Sequence, residues 1–172
     1  MKRIWIAVGI AALFGFLYFA AGAGRSGFQE GGSGAPAAGG RWRAPDFEVM
    51  DLNGNLLQLS ALRCRVVLLD FWATWCPPCV AEIPHFRELY ANYKHQGFEI
   101  IGFSLDEGGE KVVRSFVKEH EIGYPIAMGN HDIAQAYGGI HGLPTTLLID
   151  KKGNVAKKYV GYHDKKEFEQ EI

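Results

Sequence analysis

Apolar and polar positions follow two rhythms along residues 44–172. Phe47 to Leu59 holds two short runs of alternating apolar and polar residues around Asn53-Gly54. Alternation with period two is strand patterning, and Asn-Gly signals a two-residue type I′ turn, so a β-hairpin is predicted here. Ser60 is placed to cap a short helical turn. Val66-Val67-Leu68-Leu69-Asp70-Phe71-Trp72 is an almost unbroken apolar run of strand length, the pattern of a strand covered on both faces. From Cys76 the rhythm changes: Val80, Ile83, Phe86, Tyr90 and Tyr93 recur at helical spacing, with a kink expected at Pro84 and Gly97 as the stop. Phe98 to Leu105 reads as a strand, Lys111 to His120 and His131 to Tyr137 as helices. Thr145 to Ile149 and Val155 to Val160 read as a strand pair around Asp150-Lys151-Lys152-Gly153, and Asp164 caps a final helix that puts Phe168 and Ile172 on one face. Alternating strands and helices with an antiparallel ending predict an α/β domain, a mixed sheet covered by helices.

The N-terminus breaks this pattern. Lys2 and Arg3 precede an uncharged apolar stretch, Ile4 to Gly24. Its length matches the ~20 residues of a membrane-spanning helix. Residues 1–24 are therefore predicted to anchor the chain, with the basic end cytoplasmic and the domain extracytoplasmic. A cleaved signal is the alternative, since Ala21-Gly22-Ala23 offers a small-residue cleavage site. Residues 25–43, rich in Gly and Ala, read as a flexible linker to a single domain at 44–172.

Composition narrows the chemistry. A net charge of -1 and no basic stripe argue against a nucleic-acid partner. There are three cysteines, Cys64, Cys76 and Cys79, an odd number that does not make a disulfide-stapled scaffold. The pair in Trp75-Cys76-Pro77-Pro78-Cys79 has the spacing of a redox pair or of half a metal site. Zinc needs about four ligands, and no histidine stands at a ligand-like spacing from Cys64 or another histidine, so no metal is expected. Cys76 falls where a buried strand gives way to a helix. Free N–H groups and the helix dipole there favour a thiolate, which makes Cys76 the nucleophile. Cys79, one turn on, faces the same side and resolves the mixed disulfide. Pro77 and Pro78 are tolerated because first-turn N–H groups have no intrahelical partner.

Asp70-Phe71-Trp72-Ala73-Thr74-Trp75-Cys76-Pro77-Pro78-Cys79, with Gly142-Leu143-Pro144-Thr145-Thr146 downstream, resembles the TlpA/ResA/CcmG-type family of membrane-tethered, thioredoxin-like thiol–disulfide oxidoreductases. The resemblance covers residues 44–172 and implies a thioredoxin fold with an N-terminal β-hairpin extension. It implies that Pro144 is a cis-proline opposite the cysteines, and that Trp75, Pro77, Leu143 and Thr145 contact the substrate. It places Asp70 at the buried carboxylate of thioredoxins and Glu82 at an acidic residue near the thiols, so two carboxylates compete for one acid/base role. Many members carry Asn where Asp70 stands, which leaves that division open. His141 and Cys64 read as surface bystanders. No cofactor is implied beyond the cysteine pair. The implied partners are client proteins with cysteine pairs, such as apocytochrome c, and a membrane thiol-reducing donor. The expected function is an extracytoplasmic, periplasmic disulfide reductase. An oxidase or isomerase on the same scaffold, a thiol peroxidase and a metal-binding module are the alternatives.

Overall fold

The computed structural model describes residues 40–172. The expected anchor at 1–24, and the expected linker as far as residue 39, lie outside them. Six strands form one mixed sheet: β1 (Trp42–Arg43), β4 (Val66–Trp72), β5 (Phe98–Ser104), β6 (Ile126–Met128), β7 (Thr145–Ile149) and β8 (Asn154–Val160). Their order across the sheet is β1-β8-β7-β4-β5-β6. β4, β5 and β6 run parallel, while β7, β8 and β1 continue antiparallel. β2 (Glu48–Met50) and β3 (Leu56–Gln58) form the separate N-terminal hairpin. This is the thioredoxin fold with the added hairpin.

Helices α1 (Pro77–Tyr93), α2 (Glu110–Glu119), α3 (His131–Ala136) and α4 (Lys165–Glu169) supply the cover. β4 is buried at every position, as its unbroken apolar run requires. Its residues alternate between two cores. Val66, Leu68 and Trp72 join Phe86, Leu89, Phe98, Ile100 and Phe168, whereas Val67, Leu69 and Phe71 join Ile101, Phe103, Tyr137 and Leu147. Asp70, even-numbered, therefore points to the first core, where α1 packs.

Three details depart from the sequence reading. The hairpin register, Met50 opposite Leu56, leaves a longer turn at 51–55 than a two-residue type I′ turn. Asp51 organises it, accepting from Asn53 N at 2.8 Å and Asn55 N at 2.7 Å. The 3₁₀ turn Leu59–Leu62 is not capped by Ser60; Ser60 N itself donates to Asp46 Oδ1 at 2.9 Å. β1 and β6 are strands of two and three residues whose partners lie far along the chain, and no local pattern announces them.

α4 is short but anchored. Asp164 and Glu167 form a capping box at its start, and Phe168 lies fully buried against Phe86 and Tyr159, with ring centroids 5.2 and 4.9 Å away. Phe168→Ala is expected to lower unfolding free energy by about 3–5 kcal/mol, read from urea denaturation. A loss below about 1 kcal/mol would show that α4 is not part of the cooperative core.

Candidate active site

The chain leaves β4 at Trp72 and enters α1 at Pro77, five residues later, and the cysteines occupy that junction. Cys76 is the N-cap of α1, and its N–H donates to Ala73 O at 3.2 Å. Pro77 and Pro78 fill the first helical positions, where no N–H is needed. Cys76 and Cys79 are joined as a disulfide, and Cys79 N donates to Cys76 Sγ at 3.3 Å. Exposure does not separate nucleophile from resolver, because both residues are 3% exposed. Position does: Cys76 Sγ receives the main-chain N–H and sits at the positive end of the helix dipole. Around the pair, Pro77 and Pro78 are exposed and Trp75 is 67% exposed, an apolar rim over the buried sulfurs.

β7 supplies the opposite side. The Leu143–Pro144 peptide is cis. Phe71 pairs with Thr145, so Pro144 falls level with the end of β4, beside the strand-to-helix junction. Leu143 is half-buried and packs against both cores, including the one that contains the cysteines. Pro144 O accepts Gly161 N at 2.8 Å, tying the proline loop to the end of β8. Thr145 is buried and its hydroxyl donates inward to Gly142 O at 2.7 Å, so its side chain shapes the loop from within.

Two buried carboxylates sit on the elements that meet at the pair, Asp70 on β4 and Glu82 on α1. Asp70 is 3% exposed and Glu82 1%. Burial holds the Asp70 carboxyl well above its ordinary range, the charge of Glu82 pushes it further, and Thr146 Oγ1, donating to Asp70 Oδ1 at 3.1 Å, opposes them. Burial likewise pushes Glu82 up to about 7, against the N–H of His163, which donates to Glu82 Oε1 at 2.7 Å. Glu82 Oε2 is buried with no partner. Glu82 follows Cys79 by three residues on the same helix face. The site thus brings together a thiol pair, a loop proline and two carboxyl groups that resist ionisation, an arrangement able to pass protons as well as electrons.

Residues outside the sequence reading complete it. Asp106, buried after β5, accepts from Thr74 N at 2.9 Å, from Thr74 Oγ1 and from Ser104 Oγ at 2.7 Å, and so clamps the turn that leads to Cys76. Tyr124 is a buried phenol pushed well up by burial and by the charges of Asp70 and Glu82. Nothing local marks the hold on Thr74, because it reaches across 32 residues of sequence. Cys64 is exposed in the turn before β4, at the opposite end of that strand from Cys76, and its N–H donates to Lys151 O at 3.1 Å. His141 is exposed and its ring lies over Gly139. Among the described residues no group of three or more His, Cys, Asp or Glu could hold a metal ion.

Known proteins are similar to this chain in sequence and fold. Residues 41–158 match the AhpC/TSA family. The thiol–disulfide oxidoreductase ResA of Bacillus thuringiensis subsp. konkukian (strain 97-27) is 41% identical over 128 residues, covering 74% of this chain and 73% of its own length. ResA of Geobacillus thermodenitrificans (strain NG80-2) is 39% identical over 130 residues, 75% of this chain and 74% of its own. Among solved structures, a putative thiol:disulfide interchange protein DsbE from Chlorobium tepidum superposes with a TM-score of 0.70 at 34% identity, covering 76% of this chain and 92% of its own. With cysteines, loop proline and buried carboxylates set as described, the chain belongs to the AhpC/TSA family and, within it, to the ResA-like thiol–disulfide oxidoreductases.

Proposed function

We propose that this oxidoreductase is an extracytoplasmic disulfide reductase, tethered to the cytoplasmic membrane by residues 1–24, that reduces cysteine pairs in client proteins and is re-reduced by a membrane thiol donor. Apocytochrome c, with its paired cysteines, is a client of the required chemistry. The observation that carries the direction is the pair of buried carboxylates beside the cysteines. A dithiol is a strong oxidant in its disulfide form when the protein stabilises its thiolate. Acidic groups next to a thiolate oppose it. Asp70 and Glu82 therefore make the reduced pair a ready donor of electrons.

The Cys76 thiolate attacks one sulfur of a client disulfide, forming a Cys76–client bond and releasing one client thiolate. Cys79 gives its proton to a carboxylate, and its thiolate attacks Cys76 Sγ. The Cys76–Cys79 disulfide forms, the second client thiolate leaves, and the client has gained two electrons. Glu82 is the better acceptor, because a base near neutrality can both take and return a proton at neutral pH. Asp70 is held further towards its protonated form and shares Oδ1 with Thr146. An extended client segment lies along the exposed backbone before Pro144, over the rim of Trp75, Pro77 and Leu143, in the manner of an added strand.

Cys76→Ser is expected to abolish disulfide reduction, and Cys79→Ser to accumulate a client adduct in cells, visible on non-reducing gels. An adduct formed by Cys76→Ser instead would reverse the order of attack. The reduction potential should fall near the thioredoxin value of about −270 mV; one near the strong-oxidant value of about −120 mV overturns the reductase direction. Glu82→Gln should lower turnover at neutral pH about 10²-fold or more and remove the rise of rate through pH 7.

The raised Glu82 value also sets a stability trend. Its ordinary value is 4.5 and its folded value about 7. Between these the folded state keeps a proton that the unfolded chain has released, so stability falls as pH rises across this window and levels off above it. The loss is on the order of 2–3 kcal/mol. Urea midpoints at pH 5 and pH 8 should show this loss in the parent and a smaller one in Glu82→Gln, where Asp70 and Glu99, both also held above their ordinary range by burial, still contribute.

A further inference from the structure

The hydrogen bond that holds Glu82 comes from far along the chain. His163, between β8 and α4, reaches Glu82 Oε1 with its main-chain N–H across 81 residues of sequence. Among the described residues this is the only hydrogen bond to the carboxylate, and Oε2 stays bare and buried. The donor is itself held in place. Asp164 and Glu167 form the capping box of α4, and Asp164 N donates to Glu167 Oε1 at 3.2 Å. The His163 ring sits 2.9 Å from Glu167 Oε2 through Nδ1, and edge-on to Tyr159 at 5.0 Å between centroids. Gly161, at φ 86, donates to Pro144 O, so the same turn is fastened to the proline loop. The groups facing Glu82 are Asp70 from β4, Tyr124 from the segment before β6, and Tyr162, His163 and Glu167 from the last turn and α4.

A carboxylate with one oxygen tied and one bare has a single direction in which to take a proton. We propose that His163 is a positioning residue: its main-chain N–H, fixed by the Asp164–Glu167 cap, orients Glu82 so that Oε2 is the oxygen left to receive the proton of Cys79. This rests on the reading of Glu82 as proton acceptor. The N–H has a second consequence. Burial alone drives Glu82 towards its neutral form, and a donor aimed at the charged form pulls it back into the range where it can work. The side chain at 163 is secondary, since the donor belongs to the backbone.

The test uses the full chain with ¹³C-labelled glutamate, following the Glu82 carboxyl resonance against pH and assigning it by its disappearance in Glu82→Gln. His163→Pro removes the N–H, whereas His163→Ala keeps it. In His163→Pro the midpoint should rise from about 7 by roughly one to two pH units, and the rising limb of activity should move with it. In His163→Ala it should rise less than half as far. A folded His163→Pro with an unmoved midpoint overturns the proposal, as does an equal rise in both variants, which would assign the effect to the imidazole. If His163→Pro does not fold by circular dichroism, Asp164→Ala loosens the cap instead without removing a charge that acts on Glu82; it should raise the midpoint by a smaller amount, and no rise overturns the assignment. The resonance reports the carboxyl itself, so full turnover in Glu82→Gln would remove Glu82 as acceptor while leaving the His163 result to be read on its own.

Discussion

A strand with no solvent-facing side has nowhere to put a polar side chain. β4 is such a strand, and Asp70 lies inside it. Its carboxyl cannot reach water, so burial holds it well above its ordinary range; it takes one hydrogen bond from Thr146 across the β4–β7 pair and faces the helix that starts at the cysteines. The rest of the site follows from that burial. α1 must cover the same face of the sheet, which sets Cys79 and Glu82 over Asp70 and brings a second carboxyl into the same dry volume. An ion there is costly, and a proton that can be given and taken is the least costly answer.

The same residue type does the opposite elsewhere in the molecule. Asp46, Asp51 and Asp150 are each pushed up somewhat by partial burial, yet hydrogen bonds from neighbouring main-chain and side-chain donors outweigh it and hold each below the ordinary range. These three organise turns. Asp106 has the same architectural character, tying Thr74 and Ser104. Donor supply separates the two classes: three or more donors make a carboxylate a structural peg, whereas Asp70 and Glu82, with one each among the described residues, remain reactive.

This distinction also explains what could be read along the chain. The long elements β4, β5, β7 and α1 were legible because each has enough residues to show its period. The cysteine pair was legible because the chemistry requires two sulfurs one helical turn apart. Pro144 became meaningful through family resemblance, since an isolated Leu-Pro looks like any loop. β1 and β6 were hidden because two or three residues have no period, and their partners are distant. The clamp of Asp106 on Thr74 was hidden because the two lie at opposite ends of a β-α-β crossover. The hold on Glu82 was hidden for another reason: it is a main-chain N–H, which every residue but proline carries and none advertises.

The fastening of Glu82 to His163 bears on biogenesis. Synthesis is vectorial, so the cysteines and both carboxylates emerge well before the turn 81 residues beyond Glu82 that ties it down. On the proposed roles of Glu82 and His163, the nascent chain carries its thiols during that interval without a directed proton acceptor. The pair then acquires that acceptor when the β8–α4 turn docks, which ties redox competence to the finished domain.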